Sequence, residues 1–251
     1  MAFVPLGDEN PRTWIRFQVV TLAIVAGCVL AFLWQLGLGA REHEIAFFRY
    51  GVVPAVLWGH AALPAEAAVV PAPVTLVTSM FLHGGWLHLI GNMLFLWVFG
   101  DNVEDAMGHR RFIVFYLLCG AVAGLAHAAS VPGSTAPTVG ASGAVAGVLG
   151  AYFVLHPRVG IWGLLFGIIP LRLPTVIVLG SWVGLEALNA LTVRSDGSGI
   201  AWWAHVGGFV AGAVLIPFFK RAHVRLWDTK GVQIRRGISF ASRRGPWGRR
   251  R

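Results

Sequence analysis

The sequence has little charge. Only 12% of its 251 residues are Asp, Glu, Lys or Arg, whereas 56% are hydrophobic and the mean hydropathy is +0.69. Soluble domains carry about 25% charged residues on average. This deficit excludes a disordered, highly solvated chain and argues against a soluble globular protein. The composition therefore predicts a polytopic membrane protein.

Cysteine and internal repetition are also scarce. Cys28 and Cys119 are the two cysteines, and both lie within apolar runs. They are interpreted as small buried hydrophobic residues rather than a disulfide or a metal pair, and no metal or cofactor is predicted. The absence of a repeat of fixed period argues against a transporter built from inverted repeats.

Six apolar runs are candidates for membrane-spanning helices. They cover residues 17–38, 76–99, 112–130, 141–155, 175–191 and 200–219. A span needs about 20 residues, and the fourth run is short and opens on Gly-Ala-Ser-Gly. A helix that starts inside the membrane must have its first N–H groups satisfied by protein or cavity water. The prediction is an all-α, six-helix bundle with a wet site at the start of the fourth helix.

Basic residues are unevenly distributed among the connections. Arg110 and Arg111 follow the second run, Arg158 and Arg172 follow the fourth, and the connection over residues 131–139 has no charge. Cytoplasmic connections are enriched in Lys and Arg. This pattern places both termini in the cytoplasm.

The last 32 residues form a basic tail. Residues 220–251 contain eleven Lys or Arg and a single acid, Asp228. Such a juxtamembrane run favours contact with the lipid bilayer, and no aromatic-interleaved domain accompanies it, so nucleic acid is not a predicted partner. Three regions are predicted: a cytoplasmic segment 1–16, a helical core 17–219 and the basic tail 220–251. Eighteen of the twenty basic residues are Arg, which favours a GC-rich bacterial source and the bacterial cytoplasmic membrane.

Three groups of polar residues lie within the apolar runs, where each costs about 2.5–3.5 kcal/mol to insert. The first is His88 and Asn92 in the second run, whose i, i+4 spacing puts both side chains on one helix face. They can present two hydrogen-bond donors to one point. The alternative is a structural hydrogen bond between helices.

The second group is Gly140-Ala-Ser142-Gly143, which opens the fourth run. A serine at a helix N-terminus is placed where the helix dipole stabilises negative charge, and the flanking glycines allow close approach of another backbone. The alternative is a serine that only caps the helix.

The third group is His205 followed by Gly208 and Gly212 in the sixth run. The two glycines form a small-xxx-small face that allows another helix to approach closely. Gly143 and Gly147 provide a matching face after Ser142. Packing of these faces would bring His205 within reach of Ser142 as a base for a nucleophile.

Together these motifs resemble those of the rhomboid family of intramembrane serine proteases. The matching segments are His88-x-x-x-Asn92, Gly140-x-Ser142-Gly143 and His205-x-x-Gly208-x-x-x-Gly212, and the segment Gly100-x-x-x-Glu104-x-x-x-Gly108 is also similar. The resemblance implies a serine endopeptidase that cleaves transmembrane segments of membrane-anchored proteins.

The resemblance also implies roles for individual residues. Ser142 would be the nucleophile and His205 the general base, while His88, Asn92 and the N–H of Ser142 would bind the oxyanion. A third carboxylate is not expected, and neither Glu186 nor Asp196 is interpreted as a member of a triad. Family members often place a Tyr one turn after the nucleophile, against the histidine. Here that position is Ala146, so other packing must orient His205.

Several polar residues have open interpretations. His83 either lines the cavity or is structural, and His127 is interpreted as structural. Glu186 is expected to reach the membrane surface or to bond a neighbour, and Trp182 to face lipid or to belong to a substrate gate. Two other functions are alternatives: a catalytically inactive relative that binds membrane clients, and a small transporter. The transporter would be expected to carry acidic ion ligands, and within the spans there is only Glu186.

Overall fold

The computed structural model describes residues 3–192 and 201–227. Helices dominate. They are α1 (Val19–Leu36), α2 (Ala40–Tyr50), α3 (Pro54–Leu57), α4 (Ala72–Thr78), α5 (Trp86–Met107), α6 (His109–Ser130), α7 (Ser142–Leu155), α8 (Thr175–Thr192) and α9 (Trp202–Phe219). Asp196 and the part of the basic tail after residue 227 lie outside the described residues, and the three predicted regions remain a prediction.

Four helices in the described ranges are long and apolar enough to cross a membrane: α1, α6, α8 and α9. A fifth candidate is the bent pair formed by residues 72–81 and α5, whose two parts meet at 85°. Helix α7 has 14 residues, about 21 Å at 1.5 Å per residue, against a hydrocarbon core of about 30 Å. The chain is thus mostly helical with four or five candidate spans, and the count of six spans remains a prediction.

The second apolar run is not one continuous helix. After α4 the chain forms a 3₁₀ turn at Ser79–Phe81, becomes extended at Leu82, and begins α5 at Trp86. Gly84 and Gly85 lie at the break, and each glycine costs about 1 kcal/mol relative to alanine inside a helix. The apolar run over residues 76–99 is therefore divided between two helices, an interruption that hydropathy does not register, and its assignment as one membrane span remains a prediction. As a result, His88 lies in the first turn of α5.

A small antiparallel sheet corrects the all-α prediction. Strands β1 (Phe3–Asp8), β2 (Gly160–Leu165) and β3 (Ile169–Pro174) pair in that order. Phe166 and Gly167 turn the chain between β2 and β3 with φ of 53° and 75°. In so apolar a chain, hydrophobicity does not distinguish a short strand from a membrane-embedded connection.

The sheet lies at the end of the bundle where α5 and α7 finish. Asp8 accepts hydrogen bonds from the hydroxyl of Tyr152 and from the side-chain amide of Asn102 (2.9 Å). Burial raises the pKa of Asp8 to about 6. The sheet therefore closes the end of the bundle opposite to the first turns of α5 and α7.

Two carboxylates at the end of α5 fasten α1 to the bundle. Glu104 is fully buried and accepts hydrogen bonds from the backbone N–H groups of Val20 and Thr21 (3.0 and 2.8 Å), where α1 begins. Asp105 accepts hydrogen bonds from the backbone N–H groups of residues 13–15. Glu104, which belongs to the Gly100-x-x-x-Glu104 segment noted in the sequence, thus accepts hydrogen bonds from backbone N–H groups that have no partner within the first turn of α1.

Helices α7 and α9 pack at backbone contact. A Cβ added at Gly208 or Gly212 would overlap the carbonyl oxygen of Gly143 or Gly147, respectively. The predicted packing of the two glycine faces is therefore present. Helix α9 also contacts α6 and α8, so it is central in the bundle. Cys28 and Cys119 are buried free thiols, as expected from their apolar surroundings.

Candidate active site

A cavity of about 380 Å³ lies where α5, α7 and α9 begin. Six of the eight site residues predicted from the sequence line it: His88, Asn92, Gly140, Ser142, Gly143 and His205. The other two, Gly208 and Gly212, lie farther along α9, in its contact with α7. Residues that are distant in sequence are thus brought to one small space.

Ser142 is the first residue of α7, and Ala141 is its N-cap. The cap makes no side-chain hydrogen bond, and within the described chain the hydroxyl of Ser142 has no hydrogen-bond partner. The interpretation of Ser142 as a capping residue is therefore wrong. Its Oγ remains available, at the end of a helix where the dipole favours negative charge.

The segment that precedes Ser142 is held in place by backbone hydrogen bonds. The N–H of Gly140 donates to the carbonyl oxygen of Ser79 (2.9 Å), and Thr138 pairs with Val52 in an isolated bridge. Gly140 has a φ of 127°, and a Cβ there would lie 2.6 Å from Nε2 of His88. Glycine is required at this position both by the backbone conformation and by the imidazole beside it.

His205 is in the first turn of α9, and its two ring nitrogens have different surroundings. Nδ1 lies 2.7 Å from Oε2 of Glu186, whereas Nε2 has no hydrogen-bond partner in the described residues. An ionised carboxylate only accepts hydrogen bonds, so if Glu186 is ionised, Nδ1 of His205 is the donor in this contact. In the neutral imidazole Nε2 then presents a lone pair, which is the form that a general base needs.

Glu186 requires a correction. The sequence interpretation left no carboxylate for His205, but Glu186 of α8 is buried, lines the cavity and bonds the imidazole. Trp182, one turn earlier, also lines the cavity, with its ring centroid 6.0 Å from that of His205. Together Glu186 and Trp182 provide the contacts with His205 that the small side chain of Ala146 cannot make.

His88 and Asn92 offer donors to the same cavity. The N–H of Gly84 donates to Nδ1 of His88 (3.4 Å), so the neutral ring carries its proton on Nε2, which faces Gly140. The side-chain nitrogen of Asn92 is buried and has no partner among the described residues. An unpaired buried donor costs free energy, and such a donor is suited to an acceptor that arrives with substrate.

Two buried polar residues near the cavity were not recognised as a pair from the sequence. Gln35 of α1 exchanges two hydrogen bonds with the backbone of His83, at 3.1 and 3.0 Å. His83 is fully buried and its ring packs against that of His88, with centroids 5.2 Å apart, but it does not line the cavity. Gln35 was the available signal, since a buried amide in an apolar helix needs a partner.

Comparison with known families decides the relationship. Residues 72–222, more than half of the chain, match the Rhomboid domain family. The chain belongs to the rhomboid family. This confirms the resemblance noted in the sequence, and with the candidate spans it makes the chain an integral membrane protein.

Several rhomboid relatives align with the same region. Rhomboid protease GluP of Bacillus subtilis is 34% identical over 139 residues, which are 55% of this chain and 24% of the relative. Rhomboid-like protein 11 of the Arabidopsis thaliana chloroplast is 31% identical over 156 residues, 58% of this chain and 52% of the relative. Rhomboid protein 1 of Saccharomyces cerevisiae mitochondria is 31% identical over 163 residues, which are 61% of this chain and 44% of the relative.

The alignments cover about half the length of the Arabidopsis and yeast relatives and about a quarter of the Bacillus relative. The relatives come from a bacterium, a chloroplast and a mitochondrion. The family therefore establishes a membrane protein of rhomboid type, without indicating which membrane contains it.

Proposed function

We propose that this rhomboid is an intramembrane serine endopeptidase that cleaves transmembrane segments of membrane-anchored proteins with Ser142 and His205 as its catalytic dyad. The observation that carries the proposal is the cavity in which the free Oγ of Ser142, the free Nε2 of His205 and the donors of His88 and Asn92 meet. A nucleophile, a base and oxyanion donors are the parts that acyl transfer needs.

The reaction follows from these groups. Oγ of Ser142 attacks the scissile carbonyl carbon while Nε2 of His205 takes the hydroxyl proton. The negative oxygen of the tetrahedral intermediate accepts hydrogen bonds from Nε2 of His88, the amide of Asn92 and the N–H of Ser142. His205 then gives its proton to the leaving amine, and water attacks the acyl-enzyme by the same route in reverse.

The substrate and the surroundings are proposed from the family and the composition. The substrate is a transmembrane helix with helix-weakening residues and a small side chain before the scissile bond. The enzyme lies in the bacterial cytoplasmic membrane as six spans with both termini inside, and residues 220–251 contact the lipid surface. The arginine-rich composition favours this assignment. No cofactor takes part.

Cleavage of a fluorogenic transmembrane peptide in proteoliposomes tests the proposal. Wild-type protein is expected to cleave it, and Ser142→Ala and His205→Ala are each expected to lose cleavage while remaining folded and membrane-inserted. Ser130→Ala is a matched control, because that hydroxyl donates only to the carbonyl of His127 in its own helix. Folding is checked by size-exclusion chromatography and thermal unfolding in detergent.

Two results would count against the enzyme. Residual proteolysis by Ser142→Ala would show that Ser142 is not the nucleophile. Folded wild-type protein that leaves a panel of such peptides intact but binds them would favour the alternative function, an inactive relative that holds membrane clients.

A further inference from the structure

Glu186 is a buried acid that the dyad mechanism does not use. Its side chain is 11% exposed and that of His205 is 14% exposed. A charged residue inside an apolar helix is expensive and is retained where it pairs or functions. Among the described residues that line the cavity, Glu186 is the one acid. Its contact is with Nδ1 of His205, which leaves Nε2 available to take a proton.

The other groups around His205 cannot replace this carboxylate. His88 of α5 and His127 of α6 both interact electrostatically with His205. Ser142 of α7 lines the same cavity. On α9 itself, the ring of Trp202 lies near the imidazole of His205, with the two ring centroids 6.5 Å apart. Of these neighbours, Glu186 alone is an acid, so it alone can balance a positive charge on the imidazole.

We propose that Glu186 is a positioning residue that holds His205 in its Nδ1-protonated form and stabilises the imidazolium that forms during catalysis. The inference rests on the proposed function and deepens it, because it extends the Ser142–His205 dyad to a Ser142–His205–Glu186 arrangement. The helix packing explains how this is achieved. α8 packs beside α9, and Glu186 and Trp182, on one face of α8, both contact His205.

The proton balance is simple. When Oγ of Ser142 bonds to the carbonyl carbon, its proton passes to Nε2 and the carbonyl π electrons move onto oxygen. The imidazolium then carries both protons, and its Nδ1–H donates to the carboxylate of Glu186, which keeps its negative charge. The Nε2 proton later leaves with the amine. Glu186 therefore acts through His205 and takes no proton itself.

Three variants separate this role from simple structural support. Glu186→Gln removes the charge at nearly constant volume, and its amide can also donate to Nδ1 and so favour the wrong tautomer. We expect kcat to fall by on the order of 10²-fold or more, with KM unchanged; loss of the equivalent charge in a soluble triad costs about 10⁴. Glu186→Asp keeps the negative charge but holds it farther from Nδ1 of His205, so it should recover part of the kcat. Ser181→Ala is the control on the same helix, since its hydroxyl donates only to Val178.

A spectroscopic measurement tests the same point without substrate. In full-length protein labelled with ¹⁵N-histidine in detergent micelles, the ¹⁵N shifts of His205 report which ring nitrogen is protonated, and His205→Gln identifies its signals. We expect Nδ1 to be protonated in the wild type and the Nε2-protonated form to increase in Glu186→Gln. Thermal unfolding of each variant shows that the compared proteins are folded.

The outcomes are distinguishable. Wild-type kcat in folded Glu186→Gln, or an Nε2-protonated His205 in the wild type, overturns the inference and leaves the dyad intact. If the wild type cleaves nothing, the proposed function fails, and the tautomer measurement still decides whether Glu186 sets the state of His205. A loss of kcat in Glu186→Gln with partial recovery in Glu186→Asp supports the positioning role of Glu186.

Discussion

At the scale of single residues, the candidate site is defined by the polar atoms that are left without a partner. Oγ of Ser142 and Nε2 of His205 have no hydrogen bonds within the described structure, and the side-chain nitrogen of Asn92 is buried and unpaired there. Groups beside them are satisfied, such as Nδ1 of His88 and Nδ1 of His205. Unpaired donors and acceptors that converge on one cavity are prepared for an incoming peptide group.

Removal of one proposed oxyanion donor is expected to have a graded effect. We expect Asn92→Ala to lower kcat by about 10²–10³-fold, the usual loss for one such donor, without abolishing cleavage. KM should change little, since the hydrogen bond forms mainly in the transition state. Steady-state kinetics with the fluorogenic peptide measure both constants. Wild-type kcat in Asn92→Ala would contradict the role of this amide.

The sequence predicted much of this site, but not all of it. The glycine spacings around Ser142 and His205 encode a close helix contact, so the meeting of α7 and α9 was predictable. The partnership of Glu186 with His205 was not. It depends on how α8 is rotated against α9, and a single acid in an apolar helix carries no periodic signal of that rotation.

At the scale of secondary-structure elements, the contact between α7 and α9 positions the site. Gly147 and Gly212 bring the two backbones together, about one and a half turns after Ser142 and about two turns after His205. Apolar periodicity and glycine spacing reveal such a contact. They do not reveal the break before α5 or the pairing of β1 with β2, because these depend on local backbone geometry and on partners more than 150 residues away.

A methyl group at this contact should force the helices apart. We expect Gly212→Ala to destabilise the protein by roughly 1–3 kcal/mol through overpacking and to reduce cleavage, since Ser142 and His205 would be displaced relative to each other. Thermal unfolding in detergent and the peptide assay measure the two effects.

Gly184→Ala is the matched control for that substitution. Gly184 lies within α8, where an added Cβ would meet no atom within 4 Å. Its replacement should leave activity unchanged and stabilise the helix by roughly 0.5–1 kcal/mol. Equal stability of the two variants would contradict the account of the α7–α9 contact.

At the scale of the whole molecule, the arrangement of the chain in the membrane follows from charge. Basic connections alternate with an uncharged one, and from this pattern the positive-inside rule predicts that both termini are in the cytoplasm. Hydropathy alone predicts six apolar runs. The described residues contain four or five candidate spans and the short α7, and six crossings remain a prediction.

Reporter fusions test this orientation. We expect a green fluorescent protein fused after Arg251 to fluoresce in a bacterial host, because it folds in the cytoplasm. Alkaline phosphatase fused at the same position should be inactive, because its disulfides form only in the periplasm. The reverse pair of results would place the C-terminus outside and require an odd number of crossings if the N-terminus is inside.

The central claim is that Ser142 is a nucleophile activated by His205, and covalent labelling tests it most directly. Purified protein in mild detergent is treated with a fluorophosphonate, digested and examined by tandem mass spectrometry. The account predicts an adduct on Ser142 that is absent in folded His205→Ala. An adduct on another serine, or none on folded wild-type protein, would contradict it.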